Sequence, residues 1–280
     1  MFFKKILVAV DDSAPSQYAV EMSLAIASLD SVPVTFAIAL DPSFLKSDCA
    51  FASLRECAEQ IANELVTAAK QRAQQRGVEA ASEVFFDSPA DGIIGLARAQ
   101  DAGLIVIGTH GRSGIMGVLF RSLAEEVLRH TTTPLCVIRR PPLGKVYRRV
   151  LVPVVDDDLS ATTISYAIDF GRAFDAELVF CTVHDQAGRD DEAFLESANQ
   201  RAREARVASE SVLIPRAGNL SARILQKVHA EQCDVIVMAS HARDGLERLV
   251  KGSVAETIIR SSTTPVVVLR NADGAAIHPK

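Results

Sequence analysis

The chain repeats itself. Residues 4–10, KKILVAV, return as RRVLVPV at 148–154, and VLRHTTTPLCVIRR at 127–140 returns as IIRSSTTPVVVLRN at 258–271. A sequence that begins twice and ends twice is built from two like domains rather than from one enlarged core. Its 280 residues agree, since a single α/β core of that size is unusual. This reading places a first domain at 1–140, a linker at 141–148, a second domain at 149–271 and a tail at 272–280. In the linker, Pro141, Pro142 and Gly144 interrupt any regular structure between two apolar, strand-like runs.

Within each copy, short β-branched runs alternate with segments of helical period, which predicts βαβ units around a parallel sheet. The first copy reads as strands near 4–10, 33–40, 82–86, 103–108 and 134–139, with helices near 16–29, 52–76, 89–101 and 121–131. The second repeats that order. The fold class is therefore α/β, each copy a five-stranded parallel sheet with helices on both faces. Ser88 before Pro89 marks one helix start, and Asn219 marks the equivalent start in the second copy. Matching first strands lie 144 residues apart and matching last strands 131 apart, counting 148 against 4 and 258 against 127. The second copy is thus shorter, and the deficit falls between Pro42 and Phe86, where an extra loop or turn of helix is expected.

Composition narrows the partners. Hydrophobic residues make up 48% of the chain and charged residues 23%, enough apolar surface for two cores and too little charge for disorder. The net charge of −5 and the scattered lysines and arginines leave no basic footprint for nucleic acid or an anionic membrane. The apolar run at the start is short and ends at Asp11-Asp12, so it reads as a strand, and a cytoplasmic protein is expected. Of the five cysteines, Cys136, Cys181 and Cys233 lie in apolar runs and read as small core residues, which fits a reducing compartment.

In an open parallel sheet, ligands bind beyond the carboxyl ends of the strands where the strand order reverses. Asp11-Asp12-Ser13 follow the first strand. Gly108-Thr109-His110-Gly111-Arg112-Ser113-Gly114 follow the fourth, and Arg121-Ser122 lead into the next helix. A glycine-bearing loop that enters a helix presents amide N–H groups to an anion.

These segments carry a resemblance. ILVAVDDS, VIGTHGRSG, SLAEEVLRHTTTPLCVIRR and their second-copy partners are similar to the universal stress protein family, in its tandem two-domain form. The resemblance implies an adenine-nucleotide-α-hydrolase-like fold in each copy. It also implies a nucleotide motif of Gly, two residues, Gly, nine residues, then Gly-Ser or Gly-Thr. Here the first copy has Gly108 and Gly111, then Arg121-Ser122. The second has Ala239 and Ala242, then Gly252-Ser253. By the same resemblance Asp11 contacts the adenosine, Ala9, Val10 and Ala39 line the base pocket, and Gly108, His110, Gly111, Ser122 and Leu123 meet ribose and phosphates. ATP or another adenine nucleotide is the implied ligand, with Mg²⁺ accompanying it. Val155 stands where Asp11 stands in the first copy, and with Ala239, His241, Ala242, Gly252 and Ser253 it forms a degenerate second site.

Two readings of Arg121 stay open. Its side chain either crowds the phosphates where the motif has glycine, or pairs with phosphate oxygens through its guanidinium. Other features also have plainer readings. Asp11 is equally a polar residue opening a loop, and Ser122 with Glu125, like Ser253 with Glu256, fits the Ser-x-x-Glu capping box. His184-Asp185 with Asp156 or Asp157 falls short of a metal ligand set. No well-placed general base, nucleophile pair or metal triad is evident, so an enzyme, at most a slow ATPase, ranks below two other functions. These are a regulatory protein that responds to adenine nucleotide through the first copy, and a nucleotide-independent interaction scaffold for unidentified protein partners. The last strand of each copy lies at a sheet edge, and the resemblance implies that the two pair as an internal pseudo-dimer, with a homodimer as a further assembly.

Overall fold

The computed structural model describes residues 2–42, 51–109, 123–141, 147–155, 158–184, 190–215, 218–241 and 254–271, with backbone alone at 51–54, 158–159, 184, 241 and 271. The chain divides into two compact units, built essentially from Phe3–Pro141 and Pro142–Pro279. In the first, the elements run β1 (Ile6–Ala9), α1 (Ala14–Asp30), β2 (Val34–Leu40), α2 (Phe51–Gln75), β3 (Ala80–Phe86), α3 (Pro89–Ala99), β4 (Leu104–Gly108), α4 (Leu123–His130) and β5 (Leu135–Ile138). In the second they run β6 (Arg149–Pro153), α5 (Asp158–Phe174), β7 (Glu177–His184), α6 (Asp191–Glu204), β8 (Ser209–Pro215), α7 (Leu220–Ala230), β9 (Val235–His241), α8 (Val254–Ser261) and β10 (Val266–Asn271).

Every strand pair within a unit is parallel. The first unit has the order β3-β2-β1-β4-β5. The second has β8-β7-β6-β9-β10. Strands β1 and β4 are buried along nearly their whole length rather than at alternate residues, because helices cover both faces of the sheet. Their continuous Ile, Leu and Val runs follow from that. Helix α1 packs over β4 and β1, and α2 over β3 and β2.

The repeat extends to the backbone. Ser31 and Asp175 both take left-handed conformations, at φ 53° and 51°, and so do Asp101 and Gln232, at 50° and 52°. Where the first copy has Gly77 at φ 68°, the second holds Arg206 at φ 62°, a conformation that glycine adopts without the steric penalty a side chain brings. The length difference lies where the sequence puts it. Helix α2 has 25 residues against 14 in its counterpart α6. The longer helix is tied to α1, with Arg72 donating to Gln17 Oε1 at 2.6 Å and Arg76 pairing with Glu21.

Both expected helix caps form. Ser88 Oγ accepts from the Asp91 N–H, and Asn219 Oδ1 accepts from the Ala222 N–H at 3.1 Å. Helix α1 begins two residues before the expected start, because Ser13 caps it and Pro15 falls in its first turn. Cys136, Cys181 and Cys233 are buried, and Cys57 is exposed. No helix among the described residues is long and apolar enough to cross a membrane.

Candidate functional site

In each unit the strand order reverses between the first and fourth strands, so a crevice opens beyond β1 and β4 and another beyond β6 and β9. The first crevice is built from the end of β1. Val10 is buried, its N–H donating to Ala37 O at 2.9 Å, and this bond carries the chain past the strand proper. Asp11 then emerges exposed. Its N–H donates to Ser16 Oγ at 2.9 Å, and its Oδ1 accepts from the Ser13 N–H at 2.8 Å. Ser13 Oγ in turn accepts from the Ser16 N–H at 3.2 Å, which caps α1. The carboxylate is held at the crevice by this short local turn.

Gly108 ends β4 against the start of α1. A Cβ built there would lie 2.3 Å from both the carbonyl carbon and the oxygen of Pro15 and 2.5 Å from Ser16 N. Backbone cannot yield to such an approach, so packing alone demands a glycine. Thr109 follows, buried, with its N–H donating to Ile138 O at 2.8 Å.

The second crevice has the same frame. The Val154 N–H donates to Cys181 O at 2.8 Å, and the Val155 N–H donates to Ser160 Oγ at 3.0 Å, matching Val10 and Asp11 bond for bond. The structure thereby places Val155 in the position of Asp11, 43% exposed. Ser16 and Ser160, each buried and each bracing the turn, escaped sequence reading. The signal was a serine five residues after each of the two equivalent positions.

Asp11 corresponds to Val155, Ala39 to Val183, Gly108 to Ala239 and Leu123 to Val254, and only the first of these pairs exchanges a charged residue for an apolar one. The second crevice holds a pocket of about 200 Å³, lined in part by Val154, Val155, Val183, Ile224 and Ala239. Its described lining carries no charged residue, only the hydroxyls of Ser160, Thr163 and Thr182 and the thiol of Cys181. Burial pushes the Cys181 thiol well up from its ordinary value, so it stays a neutral S–H.

Of the residues expected to form the first site, the structure brings Ala9, Val10, Asp11, Ala39 and Gly108 to the carboxyl ends of β1, β2 and β4, and Leu123 to the start of α4. His110, Gly111, Arg121 and Ser122 lie outside the described residues. In the second site Val155 and Ala239 are described, as is the backbone of His241. Ala242, Gly252 and Ser253 lie outside. So do Asp156, Asp157 and Asp185, the carboxylates weighed as metal ligands. Among the described residues no group of three or more His, Cys, Asp or Glu gathers as a metal site would need.

Fold and crevices together define the class: a tandem α/β protein with two doubly wound sheets, each open at its strand-order reversal. The universal stress protein family matches residues 2–139 and again residues 146–270, and the chain belongs to that family. A universal stress protein of Mycolicibacterium smegmatis is 25% identical over 290 residues, covering 95% of this chain and 96% of that one. One from Mycobacterium tuberculosis is 26% identical over 289 residues, with the same coverage. Among solved structures, a universal stress protein from Archaeoglobus fulgidus superposes with a TM-score of 0.81 at 20% identity, over 97% of each chain. That likeness shows the fold.

Proposed function

We propose that the first copy binds an adenine nucleotide at the β1/β4 crevice, and that the protein is regulatory, with the bound nucleotide altering the surface that protein partners meet. The observation that carries this reading is the contrast at one position. Two turns with the same backbone bonds present a carboxylate in one copy, Asp11, and a valine in the other. An exposed carboxylate fixed at a strand-order reversal suits the hydroxyl or amino donors of an adenosine, and Gly108, the first glycine of the motif that the resemblance assigns to the phosphates, ends the neighbouring strand β4. Mg²⁺ would arrive with the phosphates. In this reading the second copy has given up nucleotide and the protein works in the cytoplasm.

Titration of the intact protein with ATP and AMP tests it. Binding is expected in the wild type and a loss of at least about tenfold in Asp11→Ala. Absence of binding at millimolar nucleotide, or equal binding by Asp11→Ala, would remove the proposal. A nucleotide-independent scaffold is the second reading, and one observation favours it. The Pro15 and Ser16 backbone accounts for Gly108 without any ligand. That reading gains if nucleotide leaves the melting temperature of the intact protein unchanged.

A further inference from the structure

The second crevice differs from an emptied copy of the first. The difference at the described positions is one of charge: Val155 replaces the carboxylate of Asp11, while Val183, Ala239 and Val254 are apolar like their counterparts Ala39, Gly108 and Leu123. The four second-copy residues all line the same pocket of about 200 Å³. Ala239 carries a methyl group where Gly108 has no room for one, and both Ala239 and Ser160 line the pocket.

We propose that the second copy is a binding site for a small neutral molecule with a single apolar ring and one hydrogen-bonding group, of the class of a substituted phenol. Size sets the upper bound. Sites for drug-sized ligands run to roughly 300–1,000 Å³, whereas an apolar cavity of about 150 Å³ accepts a benzene ring. Charge sets the next limit. A phosphate or carboxylate placed here would lose its hydration without gaining a cationic partner among the described lining residues, which is unfavourable. The hydroxyls fix the polar end. Thr182, 4% exposed, makes no side-chain hydrogen bond among the described residues, and a ligand hydroxyl would meet that unspent capacity. Val155 adds apolar surface to the lining as the copy-one carboxylate could not, since a carboxylate beside an apolar ring would have to shed water.

The test uses the intact protein and p-cresol as probe, followed by calorimetry and by ligand-observed NMR. One equivalent is expected to bind with a Kd on the order of 1 mM or tighter. Two variants then locate it. Val155→Asp restores the copy-one residue at an exposed position, and Val254→Trp fills the pocket from a half-exposed one. Each is expected to weaken p-cresol by about tenfold or more while the circular dichroism spectrum stays that of the wild type. Binding by the wild type that neither variant changes would place the probe elsewhere and overturn the proposal. No saturable binding at about 10 mM would overturn it too, as would adenosine binding that Val254→Trp abolishes.

Discussion

The crevice at β1/β4 and the crevice at β6/β9 share a backbone and oppose each other in chemistry. In both, the amide after the strand donates to a buried serine hydroxyl, Ser16 or Ser160, on the following helix. Because that brace uses only the amide of residue 11 or 155, it holds whichever side chain stands there, although in the first copy Asp11 Oδ1 also accepts from the Ser13 N–H. One copy places a carboxylate there and the other a valine. The opposite ends of the strands diverge as well. In the first copy Lys5 donates to Gln100 Oε1 at 3.3 Å, whereas its counterpart Arg149 pairs with Glu177 at 2.5 Å, with Glu210, and with Glu231 at 3.7 Å. Asp234, where the first copy has Gly103, accepts from the Arg148 N–H at 2.7 Å and the Arg149 N–H at 3.3 Å. A duplicated fold thus conserves its turns and varies what projects from them.

The largest effect should separate Gly108 from Ala239. Gly108→Ala forces a methyl into the Pro15 backbone and is expected to destabilise the protein by about 3 kcal/mol in urea unfolding, the upper range for overpacking. Ala239→Gly should lose no more than about 1 kcal/mol. Equal losses would mean that the two helix starts are seated alike against their strand ends. Next come the basic residues. Arg149→Met strips three partly exposed carboxylates of their partner and should lower stability by about 1–2 kcal/mol, while Lys5→Met should shift it by less than about 0.5 kcal/mol. If the lysine matters as much as the arginine, the contrast between the strand starts is not energetic.

The smallest effect is a pH dependence confined to the second copy. Burial raises the Asp234 carboxyl above its ordinary value, against the backbone N–H groups of Arg148 and Arg149 that lower it. The folded protein therefore holds this proton more tightly than the unfolded chain. The stability linked to it is fully present below the unfolded carboxyl's pKa, about 3.9, and is lost as pH rises through the higher folded value. Asp234→Asn should match the wild type near pH 3.5 and be relatively more stable above that window, as thermal melts at a series of pH values would show. A relative loss on raising the pH would contradict the sign.

Much of this was legible beforehand. The repeat gave two domains, and local capping chemistry at Ser88 and Asn219 located two helix starts, because a cap needs only neighbours in sequence. Gly108 was read as a ligand approach, and the structure shows a packing demand from Pro15, a contact between residues far apart in the chain that no local pattern encodes. Ser16 and Ser160 were missed although the signal was local, a serine five residues after each equivalent position, because a hydroxyl inside a helix that braces the preceding turn looks in sequence like any other helical serine. At the second site, reading by subtraction from a motif recorded what Val155 and Ala239 lack. Only the folded arrangement shows that Val155, Val183, Ala239 and Val254 converge on one pocket.

Binding stoichiometry is the most direct test of the division between the copies. Titration of the intact chain with ATP, read by calorimetry beside equilibrium dialysis, should give no more than one nucleotide per chain, and Val155→Asp should leave that number unchanged in the first crevice. Two nucleotides per chain in the wild type, or a single one that survives Asp11→Ala, would contradict the account.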